Sequence, residues 1–313
     1  MAGPPYVTKL TKVAWGPADG TPKYYKVFDF DFAPLEADVY DNSVQTPLTG
    51  RDKPRVGAVF PKMSFSMHMV GSGTAGTAPP DADLLKACGF EETTVAGTSV
   101  TYEVTGNLNL SDDTNAGDVT AADVYEYLGN GFKQGLEEAV ANASFEFVAG
   151  EPAKATYNIT GQYVAPTEAS SSESEHTAAT PVVCKGLTAL IKAQTVPLRR
   201  VSIALNNEVV AERDMSTGAV EGVVAPRIVD VQPTIEAEFR LPAQSTLNPF
   251  TEFTSENAIA VAITLGDDAG NICGLTTSGF QNAPPDLHEV DGLVYVTMRM
   301  TMDWDNKLQM QWT

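Results

Sequence analysis

The chain has 313 residues, 43% hydrophobic and 19% charged, a length that predicts two domains, each able to bury its own core. It carries 20 Lys and Arg against 40 Asp and Glu, a net charge of −20 split as −10 in 1–165 and −10 in 166–313, which excludes a conventional reader of DNA or RNA phosphate. No apolar run approaches the ~18–20 residues of a membrane helix, Met1–Lys12 lacks the order of a signal peptide, and Cys88, Cys184 and Cys273 fit no disulfide framework or C-x-x-C spacing.

In chain order, Phe28, Phe30 and Phe32 alternate with Asp29 and Asp31. Lys62–Val70 alternates Met63, Phe65, Met67 and Met69 with Ser64, Ser66 and His68. This period of two predicts half-buried strands. A short helix is expected over Asp81–Cys88, with Asp81 near the N-cap and Gly89 as the stop. Leu128-Gly129-Asn130-Gly131-Phe132 predicts a tight hairpin, and Val148–Pro152 a turn between Ser144–Phe147 and Lys154–Tyr163. Pro166–Pro181 holds no large apolar side chain and reads as a linker. Beyond it, Ile235, Ala237, Phe239 and Leu241 alternate with Glu236, Glu238 and Arg240. A second short helix is expected within Ser245–Glu256, a hairpin at Leu265–Asn271, and a last alternating strand from Val294 to Met302.

The fold class is therefore mainly β: two related antiparallel sandwich or barrel domains in tandem, each with a short helix, over 1–165 and 182–313. The halves align as Lys62–Val70 with Thr234–Leu241, Thr98–Val104 with Ala258–Leu265, and Lys154–Tyr163 with Leu293–Met302.

Chemistry-bearing clusters are absent from the pattern. His68, His176 and His288 are dispersed, with no i, i+4 pair and no nearby Cys, so no zinc site or triad is expected. Gly71–Pro80 lacks the Lys-Ser/Thr of a phosphate loop. Ser111–Asp118 sets a glycine sixth from Asp112, but Thr114 and Ala116 stand where calcium ligands belong, so a solvated loop is expected. No catalytic, cofactor or metal residue is assigned.

The run Gly71-Ser72-Gly73-Thr74-Ala75-Gly76-Thr77-Ala78-Pro79-Pro80, followed by Leu84-Leu85-Lys86-Ala87-Cys88-Gly89-Phe90, closely resembles the major tail tube protein of long, non-contractile-tailed bacteriophages. Colinear similarities follow at Val124–Gly131, Gly161–Thr167, Leu205–Val210, Ile263–Gly266 and Asp291-Gly292. The resemblance spans roughly 60–302; the first 60 residues match less clearly. It implies a structural virion protein, not an enzyme, with no cofactor. Such proteins stack as rings into a hollow tube, assembled in the host cytoplasm, that conducts DNA without binding it. Inner sheets of neighbouring copies join into a wall. Two such domains per chain imply a trimeric ring with pseudo-sixfold symmetry, a hexamer being the alternative. The implied partners are further copies of the chain, the tape measure protein, and the tail terminator and tail tip proteins, with no membrane.

The flexible composition of Gly71, Ser72, Gly73, Thr74, Ala75, Gly76 and Thr77 leaves the loop poorly self-packed, so it is expected to be ordered by contact between rings. Asp29, Asp31, Glu236 and Glu238 are candidates for an acidic lumen wall that repels DNA. The alternative is another virion β protein, a tail terminator or capsid decoration protein. A carbohydrate-binding β module is disfavoured because Trp15, Trp304 and Trp312 are dispersed.

Overall fold

The computed structural model describes residues 11–18, 20–40, 55–104, 119–129, 131–185, 188–215, 220, 222–302 and 308–313. The chain is mainly β, in antiparallel sheets, with two short helices. In the first half, β1 (Lys12–Pro17), β2 (Lys23–Tyr25) and β3 (Phe28–Ala33) precede a hairpin of β4 (Ala37–Tyr40) and β5 (Arg55–Val59). Then come β6 (Lys62–His68), α1 (Ala82–Ala87), the hairpin β7 (Phe90–Val95) and β8 (Ser99–Val104), β9 (Ala122–Leu128), and the long β10 (Phe132–Val148) and β11 (Lys154–Thr167). The second half runs β12 (Thr188–Ile191), β13 (Gln194–Thr195), β14 (Leu198–Ala204), the hairpin β15 (Asn207–Val210) and β16 (Arg227–Val231), β17 (Thr234–Arg240), α2 (Pro249–Ser255) and β18 (Ile259–Leu265). It ends with β19 (Cys273–Gln281), β20 (Asp286–Val290), β21 (Leu293–Met302) and β22 (Gln309–Trp312).

The expected elements form for local reasons. On β6 the alternation buries Met63, Phe65 and Met67. Gly89 stops α1 at a φ of 88°, a conformation that favours glycine. Asn248 caps α2 by accepting from the Phe250 and Thr251 amides, and Pro249 occupies the first turn, where its missing N–H costs nothing. Asp81 precedes α1 but makes no capping bond. The hairpins at 128–132, 148–152 and 265–271 close in the expected places, as Leu128↔Phe132, Glu146↔Lys154 and Leu265↔Cys273 pair. Asn130, Trp304 and the loop Ser111–Asp118 lie outside the described residues.

The two halves repeat one strand order. The first pairs as β2-β1-β9-β10-β11-β6-β3. The second pairs as β13-β12-β18-β19-β21-β17-β14. The hairpins β4–β5 and β15–β16 occupy the same place in the chain order, as do α1 and α2. Ladder register agrees too: Met63↔Ile159 and Phe65↔Tyr157 correspond to Ile235↔Met300 and Ala237↔Met298.

One expected equivalence is corrected. Ala258–Leu265 corresponds to β9, not to Thr98–Val104, because β18 pairs β12 and β19 as β9 pairs β1 and β10. Alternation alone could not tell β8 from β9, since a strand's own residues do not name the strands it pairs with. The long β10 corresponds to β19 followed by β20. Between them lies Asn282–Pro285, whose two prolines cannot donate to a ladder.

The halves are joined by hydrogen-bonded ladders on either side of 166–181. β14 pairs the C-terminal end of β10 from Ser144↔Ala204 to Val148↔Arg200, and β22 pairs β8 from Gln309↔Glu103 to Trp312↔Val100. One buried core holds residues of both halves, including Phe65, Phe145, Ile203, Phe239 and Met300. Buried Asn207, from the second half, donates to the Cys88 and Ala141 carbonyls of the first, at 2.9 Å each.

The stretch Pro166–Pro181 runs along the first half. The Tyr24 amide donates to Ser174 O and the His176 amide to Tyr24 O, a parallel bridge centred on Glu175. The Tyr127 hydroxyl donates to Glu173, His176 stacks on Trp15 at 5.4 Å, and the Ala179 amide donates to Gly71 O. Backbone and polar bonds order a segment with no large apolar side chain to bury.

Candidate assembly surface

Seven strands, β3-β6-β11-β10-β14-β17-β21, form one continuous antiparallel face across both halves. Alternation gives this sheet two sides. On the inner side Met67, Ala155, Phe145, Ile203, Ile235 and Met300 face one another across successive strands, all essentially inaccessible. On the outer side the neighbouring row reads Ser66, Thr156, Ser144, Ala204, Thr234 and Thr301. The next row reads His68, Lys154, Glu146, Ser202, Glu236 and Arg299.

Three arginines on the second-half end of that outer side are paired within the chain, and a fourth, Arg240, is exposed. Arg200 binds Glu146, with Nε at 3.0 Å, and Arg299 Nε binds Glu236 at 3.0 Å. Arg199 and His288 both reach Glu238. Burial pushes the Glu238 carboxyl up, but hydrogen bonds from His288 and Arg199, and their charge, hold it below the usual carboxylate range. A bulge between Leu198 and Arg200 lets consecutive arginines reach carboxylates on one side of the sheet. Each such half-exposed pair is worth about 0–1 kcal/mol, so the pattern sets surface charge more than stability.

The sequence candidates fall as follows. Glu236 and Glu238 lie on this outer side, neutralised by Arg299 and by Arg199 with His288. Asp29 sits at a bulge of β3, at a φ of 51°, and pairs with Lys154 at 3.2 Å. Asp31 is exposed opposite Ser64. The four are spread over the two distant ends of one face.

The loop at 71–77 takes its order from its own chain. The Gly71 amide donates to Asn271 Oδ1 at 2.7 Å, and the Gly73 amide to Gly270 O at 3.1 Å. The Ser72 hydroxyl accepts from the Thr74 amide and lies within bonding distance of the Thr74 and Thr77 carbonyls. A Cβ on Gly76, at a φ of 71°, would lie 2.3 Å from Gly97 N. Its glycines thus serve close approach to the second-half loop and to the β7–β8 turn, a use that composition alone does not separate from looseness.

Several strand edges are open among the described residues. β3 pairs only β6, β7 only β8, and β20 only β21. Leu287 on β20 is 45% exposed. Leu35, just before β4, and Val39, Tyr40 and Val56 on the β4–β5 hairpin are exposed, and sequence reading did not single them out. Their signal was apolar residues in a stretch too short to bury both faces.

The three thiols are free and buried. Among the described residues no three His, Cys, Asp or Glu side chains converge as a metal site. No protein-family model matches this chain, and no curated protein matches it.

Proposed function

We propose that this chain is a structural subunit that joins head to tail with further copies of itself, and that the assembly is the stacked-ring tail tube of a long, non-contractile-tailed bacteriophage. The observation that carries this reading is internal. Two halves of equivalent strand order are already joined edge to edge by β10 and β14, and the equivalent pair of edges, on β20 and β3, is left open. A joint between unlike edges closes a ring or propagates a fibre. The resemblance of Gly71–Phe90 and the colinear segments after it supports the choice of tail tube.

On this reading the halves are tandem tube domains of sandwich type, and three chains close a pseudo-sixfold ring. The outer side of the seven-stranded face lines the lumen. Arg200, Arg299 and Arg199 are held by Glu146, Glu236 and Glu238, so for these three gripping a phosphate requires breaking a pair. DNA then passes a charge-paired wall. The tape measure protein, tail terminator and tail tip proteins are partners by the same reading.

Negative-stain microscopy of concentrated protein, with sedimentation, tests it. Hollow tubes of stacked rings are expected. Closed rings that never stack would assign the tail terminator instead. A monomer at every concentration overturns the assembly reading.

A further inference from the structure

The repeated strand order fixes more than the fact of association. Within the chain the joint runs Ser144↔Ala204, Phe145↔Ile203 and Glu146↔Ser202. Each side has an equivalent that carries no partner among the described residues. On the first side, Asp286, Leu287 and His288 stand opposite Thr297, Val296 and Tyr295 of β21. Ser144, Phe145 and Glu146 stand in the same way opposite Thr156, Ala155 and Lys154 of β11. On the other side, Ala33, Phe32 and Asp31 stand opposite Lys62, Met63 and Ser64 of β6. Ala204, Ile203 and Ser202 stand in the same way opposite Thr234, Ile235 and Glu236 of β17.

We propose that the outer edge of β20 in one copy pairs antiparallel with the outer edge of β3 in the next, in the register Asp286↔Ala33, Leu287↔Phe32 and His288↔Asp31. This rests on the assembly reading and names its joint. The apolar side of this sheet is open at both edges: at Leu287 on β20, 45% exposed opposite buried Val296, and at half-buried Phe32 on β3, opposite buried Met63. Their counterparts Phe145 and Ile203 are fully buried where the same joint is made within the chain. In the proposed register the two open ends cover each other. On the polar side His288 faces Asp31, and Asp31 adds a carboxylate to the Glu238 that His288 already contacts at 2.9 Å. The joint also occupies two strand edges that an isolated chain leaves as templates for disordered aggregation.

The two joints differ in strength. β10 crosses into its joint as one unbroken strand, whereas β20 follows the interruption at Asn282–Pro285 and is five residues long. The joint between copies is therefore the weaker one, and rings come apart between chains before the two halves of a chain separate.

Full-length His288→Cys protein mixed with full-length Asp31→Cys protein tests the register, since both positions are at the surface and the native thiols are buried. Directly opposed residues bring Cβ atoms within disulfide reach, whereas adjacent positions point to opposite faces. Mild oxidation under assembly conditions is expected to give about tenfold more disulfide-linked dimer than the mismatched Leu287→Cys and Asp31→Cys mixture. Equal linking in both mixtures, or none in a preparation that assembles, overturns this joint and leaves the assembly reading standing. Hydrogen exchange on the unsubstituted chain is the second measurement. The amides of β20 and β3 are expected to gain protection on assembly, and unchanged exchange in assembled protein overturns the joint. Failure of the unsubstituted chain to associate at any concentration removes the assembly reading and the joint with it.

Discussion

Asp81 shows what a buried charge does to this fold. It lies before α1 and is 1% exposed. The Tyr157 hydroxyl donates to Oδ2 at 2.8 Å, and Oδ1 has no partner. Burial pushes its carboxyl up to about 6, against the lowering effect of the Tyr157 hydrogen bond. The native state therefore binds a proton that the unfolded state releases near pH 4. Stability is highest below that, falls as pH rises from about 4 to about 6, and stays lower above. A shift of about two pK units corresponds to about 3 kcal/mol. Asp81→Asn is expected to flatten this slope, leaving stability at pH 4 near the original and raising it at pH 7.5 by up to about 3 kcal/mol. Parallel denaturation midpoints for both proteins across that range would refute it. Sequence reading placed Asp81 as a cap, because Asp before a helix is a cap by composition. Tyr157 is 76 residues away, and only the β6–β11 ladder brings its strand beside that turn.

At the scale of elements, the Gly71–Thr77 loop is a packed connection whose glycines have unequal duties. Gly76→Ala combines a left-handed φ with backbone contact at 2.3 Å, and Gly73→Ala has the same sign of φ but nothing nearer than 3.8 Å. Gly76→Ala is expected to cost about 2–4 kcal/mol and Gly73→Ala about 1 kcal/mol by urea denaturation. Equal costs would show that the loop is not seated as described. Deleting Ser72–Thr77 removes the Gly73 bond to Gly270 and the Ser72 network, so it is expected to lower stability. The segment 166–181 follows the same lesson. His176 is held against Trp15, where burial, with Lys23 nearby, lowers its pKa to about 4, so it stays neutral at ordinary pH.

For the whole molecule, the halves depend on each other. A fragment of residues 1–181 would expose the β10 edge at Ser144–Val148 and the β8 edge at Val100–Glu103. It would also lose the Asn207 bonds to Cys88 and Ala141. Burying a single large apolar side chain contributes roughly 1.5–3 kcal/mol, and the shared core loses Val201, Ile203, Ile235 and their neighbours at once. The fragment is therefore expected to precipitate or associate, read by size-exclusion chromatography beside the full chain. A stable, soluble, monomeric fragment with strand-type circular dichroism would show that the first half folds alone.

The sequence by itself determined the class of structure. Alternation at Met63–Met67 and Ile235–Leu241, the turn glycines, and the two helix boundaries are local properties, written in neighbouring residues. It also predicted a repeat between the halves, with one strand misplaced, and it marked Glu236 and Glu238 as the polar side of their strand. Only the tertiary structure decided which strands are neighbours, that β9 and not β8 matches β18, that 166–181 lies along the first half, and that Arg299, Arg199 with His288, and Lys154 stand against Glu236, Glu238 and Asp29 while Asp31 is left exposed. The physical reason is that these ion pairs join residues 39 to 125 apart in sequence, while a period of two looks the same in every half-buried strand.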